Sequence, residues 1–593
     1  MNKKMIKIFL ILLYLLSFSF SETINLSDYK YPENDNSSNY AYITIVATND
    51  LHGGIFPIQY SDINSKKFLY GGGMHLYSYV KALREQWEGQ FLWLDAGDQF
   101  TGTMECMLSD CTVMRDYYNK AGVDAIAIGN HDFDYGVDYL QEYIKKQSFP
   151  ILAANVKLST GIYLYELWEN VLPYKIYTYT VKDGQEIKIG VIGLATKKTP
   201  SMTSGDLSDL VFEDYFEVTK NWVEFLRNVQ GVNAIVLLTH FGPMCKNDGD
   251  AKMELKMRTS STEQKLCKDE EEIMYFLIKL KEEHVQVDAI VAGHSHDIVH
   301  HWISDIPVVQ SSGSDYLNVL YLPFKLVKDV MTLQKNKIEI EGPVPVCEKL
   351  WPNTKNCIYK YEDSSIMQSF TFHKKLIELD EELANVLKFW NDIINEKVKN
   401  DIFETKDKMF VDSKQETLLV NLVNDVGRII TGSDICFFNF GGIRTTWYKG
   451  PINEIDLFRM FPFNNTWVRF EMTGEEIKYM FKSLAYNTYY PYSGVIQTFH
   501  YRNSIYSVKN ILLWDGEEEK PLIANKTYRV CTNDYLANGG SSMQYIRKWY
   551  KTLRNKKDFG IIREAFIKYL KNVKPITKEK FVDEDHPRLI VEY

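Results

Sequence analysis

Histidine, aspartate and asparagine recur through the first half of the chain in short strings, each placed directly after a run of apolar and β-branched residues. Asn49-Asp50-Leu51-His52 follows 43–48, Asp95-Ala96-Gly97-Asp98 follows 91–94, and Gly129-Asn130-His131-Asp132-Phe133-Asp134 follows 125–128. Thr239-His240 closes the run 234–238, and Gly293-His294-Ser295-His296 comes after 289–291. Any one string reads as an ordinary polar turn. Their recurrence at successive strand ends does not, because solvated loops have no reason to keep to these three residue types. Imidazole nitrogens with carboxylate and amide oxygens suit zinc, manganese, cobalt or iron, and the lack of a thiolate in the set argues against a closed structural zinc site. Two such cations roughly 3.5–4 Å apart hold a hydroxide between them and clamp a phosphoryl group for in-line attack. That geometry requires one shared carboxylate and separate ligands for each ion.

Such a set must be carried by elements that end side by side. From residue 42 to about 325, β-branched runs at 43–47, 91–94, 125–128, 151–154, 187–192, 234–238 and 289–291 alternate with helical patterns. This alternation predicts an α/β layered domain with helices packed on sheets, whose chemistry gathers beyond the carboxyl ends of the strands. Between 325 and 373 the pattern is lost, with Pro343, Pro345 and Pro352 near Cys347 and Cys357, and the segment reads as a linker or insertion. Leu376, Leu379, Leu383, Val386, Leu387, Trp390, Ile393 and Ile394 then predict one long amphipathic helix, the boundary between two globular halves. From about 401 to 593 a second, smaller α/β pattern runs, with strands near 435–439, 467–472 and 528–532. The expected division is therefore 42–325, an insertion and linker helix at 326–400, and 401–593.

With 593 residues, 45% of them apolar, the chain supplies more than one buried core, and its charged and aromatic content excludes a disordered, collagenous or coiled-coil protein. Lys and Arg number 68 against 78 Asp and Glu, with no long block of one sign, which argues against a dedicated nucleic-acid binder. Lys3, Lys4 and Lys7 precede an apolar run at 8–20 and small residues up to Ser21, the pattern of a secretory leader over 1–21. No later segment is apolar enough to span a bilayer, and 586–593 lack the hydrophobic tail of a lipid-anchor signal, so the expected mature protein has no stable membrane anchor. It is expected to be secreted, or held in a lysosome-like lumen. Export permits disulfides, and Cys106/Cys111, Cys245/Cys267 and Cys347/Cys357 are expected to pair locally. Cys436 and Cys531, in apolar runs, are expected as buried free thiols. Asn25, Asn36, Asn464 and Asn525 each begin an N-glycosylation sequon.

Taken together, Asp50-X-His52, Gly97-Asp98, Gly129-Asn130-His131-Asp132, His240 and Gly293-His294-Ser295-His296 resemble the calcineurin-like metallophosphoesterases, and GNHDFD at 129–134 resembles their 5'-nucleotidase branch. The resemblance implies a four-layer α/β/β/α metallophosphoesterase domain joined by a long helix to a smaller α/β substrate-binding domain. It implies that Asp50, His52 and His296 hold one divalent metal, that Asn130, His240 and His294 hold a second, and that Asp98 bridges them. His131 would then be a catalytic donor oriented by Asp134, and Asp132 is expected to be an exposed turn carboxylate. In the second half, Asn439-Phe440-Gly441-Gly442-Ile443-Arg444 resembles the family's phosphate-gripping loop, with Asp425 in the helix before it. Phe461-Pro462-Phe463 and Tyr535-Leu536-Ala537-Asn538-Gly539-Gly540 resemble the loops that clamp a base. Asn439, Gly441, Gly442, Arg444, Phe463, Tyr535 and Asn538 are the substrate-binding residues that this implies.

The chain also departs from the family pattern. His296 stands where Asn or Gln is usual, Gln415 beside Lys414 stands where a second phosphate-gripping Arg is usual, and Ser541 and Ser542 replace a ribose-binding Asp. The implied activity is hydrolysis of nucleoside 5'-monophosphates by a dinuclear metal site. UDP-sugars, cyclic nucleotides and other phosphoesters are same-fold alternatives, and a non-catalytic nucleotide-binding protein is the alternative from another class.

Overall fold

The computed structural model describes residues 24–26, 40–61, 66–181, 184–203, 205–245, 255–259, 267–269, 271–352, 356–357, 363–398, 401–412, 415–447, 449–484, 492–502, 505–540, 554–572, 576–583 and 585–592. The leader at 1–21, the Asn36 sequon, Lys414, Ser541 and Ser542 lie outside the described residues.

Two sheets stack face to face in the first half. In one, Ala41–Thr48, Phe91–Asp95, Ala125–Ala127, Ile151–Leu152 and Val171–Leu172 run parallel, and Tyr316–Val327 joins antiparallel to Ala41–Thr48. In the other, Glu186–Ala195, Ala234–His240, Ala289–Ala292 and Ile306–Gln310 are parallel neighbours. Period-two alternation sorts the side chains. Ile43, Ile45, Leu92 and Leu94 pack against Ile189, Val191, Val236 and Val291 between the sheets, whereas Val46 and Trp93 point the other way. The outer faces are covered by Gly73–Gln86 and Thr112–Ala121 on the first sheet and by Tyr215–Asn228 and Glu272–Glu282 on the second. The result is the four-layer α/β/β/α domain.

The segment 326–400 is not a separate insertion. Val330–Leu333 and Glu339–Pro345 extend the first sheet on Tyr316–Val327, and Phe370 and Phe372 are buried in the same core as Tyr79. Pro343 and Pro345 disguised this strand in the sequence. Both fall beyond Gly342, where the neighbouring strand Lys256–Thr259 stops pairing, so their missing N–H groups cost no ladder bond on that side. The connecting helix is Glu381–Val398, so it starts after Leu376, which ends a short strand, and after exposed Leu379. It packs on Thr112–Ala121 of the first half and Glu454–Met460 of the second.

The second half is built on a five-stranded sheet with Ile435–Phe437, Thr527–Asn533 and Thr466–Thr473 side by side. Leu418–Thr431 and Ile562–Leu570 cover one face and Gly474–Leu484 the other. Cys436 and Cys531 are not free thiols. They are register partners on adjacent parallel strands with Cα atoms 4.5 Å apart, and they form a disulfide. The three local pairs are disulfides as expected. No helix among the described residues is long and apolar enough to cross a membrane.

Glu105, 4% exposed and lying where the halves meet, has its carboxyl pushed up to about 7 by burial, against which Arg459 of the second half acts only partly. A carboxyl whose folded pKa is raised stabilises fully below its unfolded value and loses that contribution as pH rises through about 7. The unfolding midpoint should therefore fall from pH 5 to pH 8, and Glu105→Gln should flatten that decline when followed by calorimetry. An unchanged slope in the variant would refute the assignment.

Candidate metal centre and the cleft above it

Parallel pairing sets the strand ends side by side, and backbone bonds then tie their loops together. Asp50 N–H donates to the Gly97 carbonyl at 2.9 Å and His52 N–H to that of Asp98 at 3.1 Å. From the second sheet, adjacent strands deliver His240 and then His294 and His296. Two ligand clusters result, Asp50 with His52 and His296, and Asp98 with His240 and His294, each with its ligand atoms within 4.8 Å of one another. Asp98 faces both, its Oδ2 lying 3.0 Å from His240 Nε2 and 3.6 Å from His52 Nε2. Asn130 Oδ1 lies 3.2 Å from His240 Nε2.

The imidazoles are oriented from behind. His240 Nδ1–H donates to the Ala96 carbonyl at 2.7 Å and His52 Nδ1–H to that of Phe100 at 2.9 Å, which turns each Nε2 lone pair inward. His52 Nε2 and Asp50 Oδ1 are buried without a hydrogen-bond partner. Lone pairs of His240, Asp98 and Asn130 converge in the same way, an arrangement that is repulsive unless a cation stands among them. The carboxylate field that would hold cations also acts on the imidazoles. Burial by itself would lower His240, but the carboxylates of Asp98 and Asp50 and the bond to Ala96 raise it to about 10. His294 is pushed down to about 3 by burial and by His240. Burial disfavours the Asp98 carboxylate, yet His240, His131 and His52 hold it well below the usual range. The donor set therefore fits two divalent cations.

Tight backbone approach brings the loops this close. A Cβ at Gly129 would overlap Asp98, and this glycine lets His131 N–H donate to Asp98 Oδ1 at 2.8 Å. Asp50, His52, Asp98, His294 and His296 all sit at positive φ, between 47° and 80°. Non-glycine residues adopt this region only where the surroundings impose it.

Asp132 is not an exposed turn carboxylate. It is 1% exposed, and it accepts from the N–H groups of Gly129 at 2.8 Å, Gln99 at 2.9 Å and Phe100 at 3.3 Å. Burial and the neighbouring Asp98 charge raise its pKa, while these bonds oppose the rise. It staples the Asp98 loop to the Asn130 loop. Asp132→Ala should lower metal affinity by about 10–100-fold, the usual cost of losing a group behind the ligands. Unchanged metal titration of folded variant protein would refute that role.

His131 and Asp134 pair as expected, Nδ1 to Oδ2 at 2.8 Å. Thr101 Oγ1 donates to the same oxygen at 2.6 Å and Thr203 Oγ1 to the other at 2.9 Å. Neither threonine stood out in the sequence, since a hydroxyl behind a carboxylate leaves no motif. Burial lowers His131, but Asp134 and Asp98 outweigh it, and the net shift is upward.

A cavity of about 560 Å³ separates this centre from the second half. Asp98, Asn130, His131, His294 and His296 line one wall, and Asn439, Gly441, Gly442, Arg444, Phe463 and Tyr535 line the other. The Arg444 guanidinium lies 5.4 Å over the Phe463 ring, and His131 stacks on that ring at 5.5 Å. Asn439 Oδ1 accepts from Asn533 at 2.8 Å, which fixes the glycine loop. Gly540 must be small because a Cβ there would overlap the ring of Tyr535.

Asn538 does not line the cavity. It falls just past the short helix Asp534–Ala537 and bonds back to Asp534, so Asp534 and Asn465 line the wall instead. Gln415 is exposed and donates to Asp412 at 2.7 Å, away from the cleft. Asp425 faces a different cavity, paired with Arg588. Asn464 is exposed, is among the residues lining the cavity and accepts from Arg563 at 3.0 Å.

Residues 43–297 match the family model for calcineurin-like phosphoesterases, and residues 388–548 match that for the 5'-nucleotidase C-terminal domain. The chain belongs to the 5'-nucleotidase family. It is accordingly a metal-dependent phosphoesterase. The chain is 25% identical over 580 residues to the 5'-nucleotidase of Mus musculus, which covers 90% of this chain and 89% of the mouse protein. It is 24% identical over 599 residues to an apyrase of Tabanus yao, over 92% and 94% of the two chains. The crystal structure of a 5'-nucleotidase precursor from Thermus thermophilus shares the fold, with a TM-score of 0.70, 23% identity, and coverage of 93% of this chain and 99% of that one. Within the 5'-nucleotidase family fold, the two ligand clusters and the aromatic wall face each other across one cleft.

Proposed function

We propose that this protein hydrolyses nucleoside 5'-monophosphates to nucleoside and phosphate. The observation that carries the reading is the two ligand clusters, whose Asp98, His294 and His296 line one wall of a cavity with Asn130 and His131, while Arg444, Phe463 and Tyr535 line the other. Asp50, His52 and His296 would hold one divalent ion, Asn130, His240 and His294 the other, and Asp98 would be shared. Ions there supply Lewis acidity toward the phosphoryl group and make water acidic enough to attack at neutral pH. Arg444 grips phosphoryl oxygens in a fork. His131, kept in one tautomer by Asp134, donates toward the phosphoryl oxygen or the leaving group. Phe463 and Tyr535 stack the base, worth about 1–3 kcal/mol on comparable platforms. A substrate so held bridges both halves, and rotation of 401–593 against 42–325 about the connecting helix would open and close the cleft. With a leader at 1–21, the setting would be secreted or lumenal.

Arg444→Lys keeps the charge but loses the fork, and should raise KM for AMP about tenfold or more with a smaller fall in kcat. A KM within twofold of wild type in steady-state kinetics would remove Arg444 from the phosphate site. A second reading rests on Gln415, which points away from the cleft, and on the similarity to a protein named apyrase. It widens the substrate to nucleoside diphosphates, UDP-sugars or cyclic nucleotides. Phosphate release from AMP, UMP, ADP, UDP-glucose and 2',3'-cyclic AMP, with manganese or zinc and with a chelator, separates the two. Preference for AMP, abolished by chelator, is expected. Chelator-sensitive hydrolysis of an aryl phosphate alone would overturn the nucleotide assignment, and no turnover at all would favour a binding protein.

A further inference from the structure

A second cavity, of about 580 Å³, opens in the second half and shares no lining residue with the catalytic cleft. One side of it is the helix Leu418–Thr431, which presents Asp425 and Arg428 three residues apart on one face. The two do not pair. Arg588 takes both oxygens of Asp425, at 2.9 and 2.7 Å, and Ser493 Oγ donates to the same carboxylate at 2.5 Å. Ser493 Oγ in turn accepts from Arg428 Nε at 2.7 Å. This chain of bonds neutralises Asp425 and fixes the plane of the Arg428 guanidinium. Its two Nη groups are left with no hydrogen-bond partner among the described residues, although the side chain is half-buried.

The cavity lining carries one more cationic than anionic side chain in a chain whose net charge is −10. Arg428, Lys578 and Arg588 line the cavity against Asp425 and Asp583. On its outer wall His586 stacks on Trp514 at 4.3 Å and 21° and is bonded to Asp583 at 3.2 Å. A guanidinium anchored at Nε with both Nη groups presented to a cavity is the fork that recognises a tetrahedral oxyanion.

We propose that this cavity is a second anion site, binding a phosphate group through Arg428, with Lys578 as an added point charge. The phosphate is either free inorganic phosphate or the phosphate of a nucleotide.

The test uses the full chain stripped with chelator, in an Arg444→Ala background that weakens the catalytic cleft, with binding of inorganic phosphate and of AMP followed by calorimetry. Both are expected to bind, and Arg428→Met should weaken binding about tenfold or more. Tighter binding of AMP than of phosphate, with that excess lost in Arg428→Met, identifies the nucleotide as the source, and equal binding identifies free phosphate. Phosphate and AMP affinity unchanged by Arg428→Met overturns the proposal. Should that variant fail to fold, crystals of the parent chain soaked in tungstate decide. Anomalous density at Arg428 supports the site, and density confined to the catalytic cleft refutes it.

Discussion

Replacing Asp98 by alanine is expected to empty both ligand clusters at once. Its Oδ2 faces His240 in one cluster and His52 in the other, and its Oδ1 accepts the His131 N–H. No other carboxylate among the described residues stands in both positions. Every other ligand serves one cluster, so His296→Ala should weaken one ion and leave the other in place. Turnover with saturating manganese should fall roughly 10³-fold or more in Asp98→Ala, since the two-ion clamp and the His131 loop are lost together. Metal content by mass spectrometry, beside kcat, checks this. If Asp98→Ala retained as much metal as His296→Ala, the bridging role would be wrong.

The second large effect is expected at His131, for the opposite reason. His131 touches Asp134 and the cleft but belongs to neither cluster, so His131→Ala should keep its metal and still lose roughly 10²–10³ in kcat. Asp134→Asn should cost less. The amide can still meet His131, but it disturbs the acceptor pattern on which Thr101 and Thr203 converge. Turnover of His131→Ala within a few-fold of wild type, at saturating metal, would exclude it as the proton donor.

These two residues were legible in the sequence because chemistry that needs ligands at strand ends leaves them next to β-branched runs. Asp50, His52, Asp98, Asn130, His240, His294 and His296 could be found that way, and the structure brings all seven together. Asp132 was not legible as a staple. Its partners are backbone N–H groups, which every residue carries, so nothing in its neighbours' side chains marks it. Cys436 and Cys531 were misread because their pairing is a matter of which strands become neighbours, across 95 residues of chain, while the local pairs follow from short loops. Pro343 and Pro345 hid a strand for a related reason, since the harm a proline does depends on whether the adjoining strand still pairs at that point. Asn538 missed the cleft because it follows a four-residue helix, of which only the first two residues, Asp534 and Tyr535, line the wall.

The left-handed backbone of the ligand loops bears on how the protein survives the loss of its ions. Such conformations cost about 1–2 kcal/mol per non-glycine residue. Here that cost is offset by bonds between loops, backbone to backbone from Asp50 to Gly97 and from His52 to Asp98, and from the His294 N–H to the Asp50 carboxylate. The backbone of the coordination shell is thus held by bonds made on folding, whereas the converging lone pairs of its side chains call for cations. Stripping should leave the loop backbone in place and loosen the ligand side chains, so that activity returns with side-chain rearrangement and not with refolding of the chain.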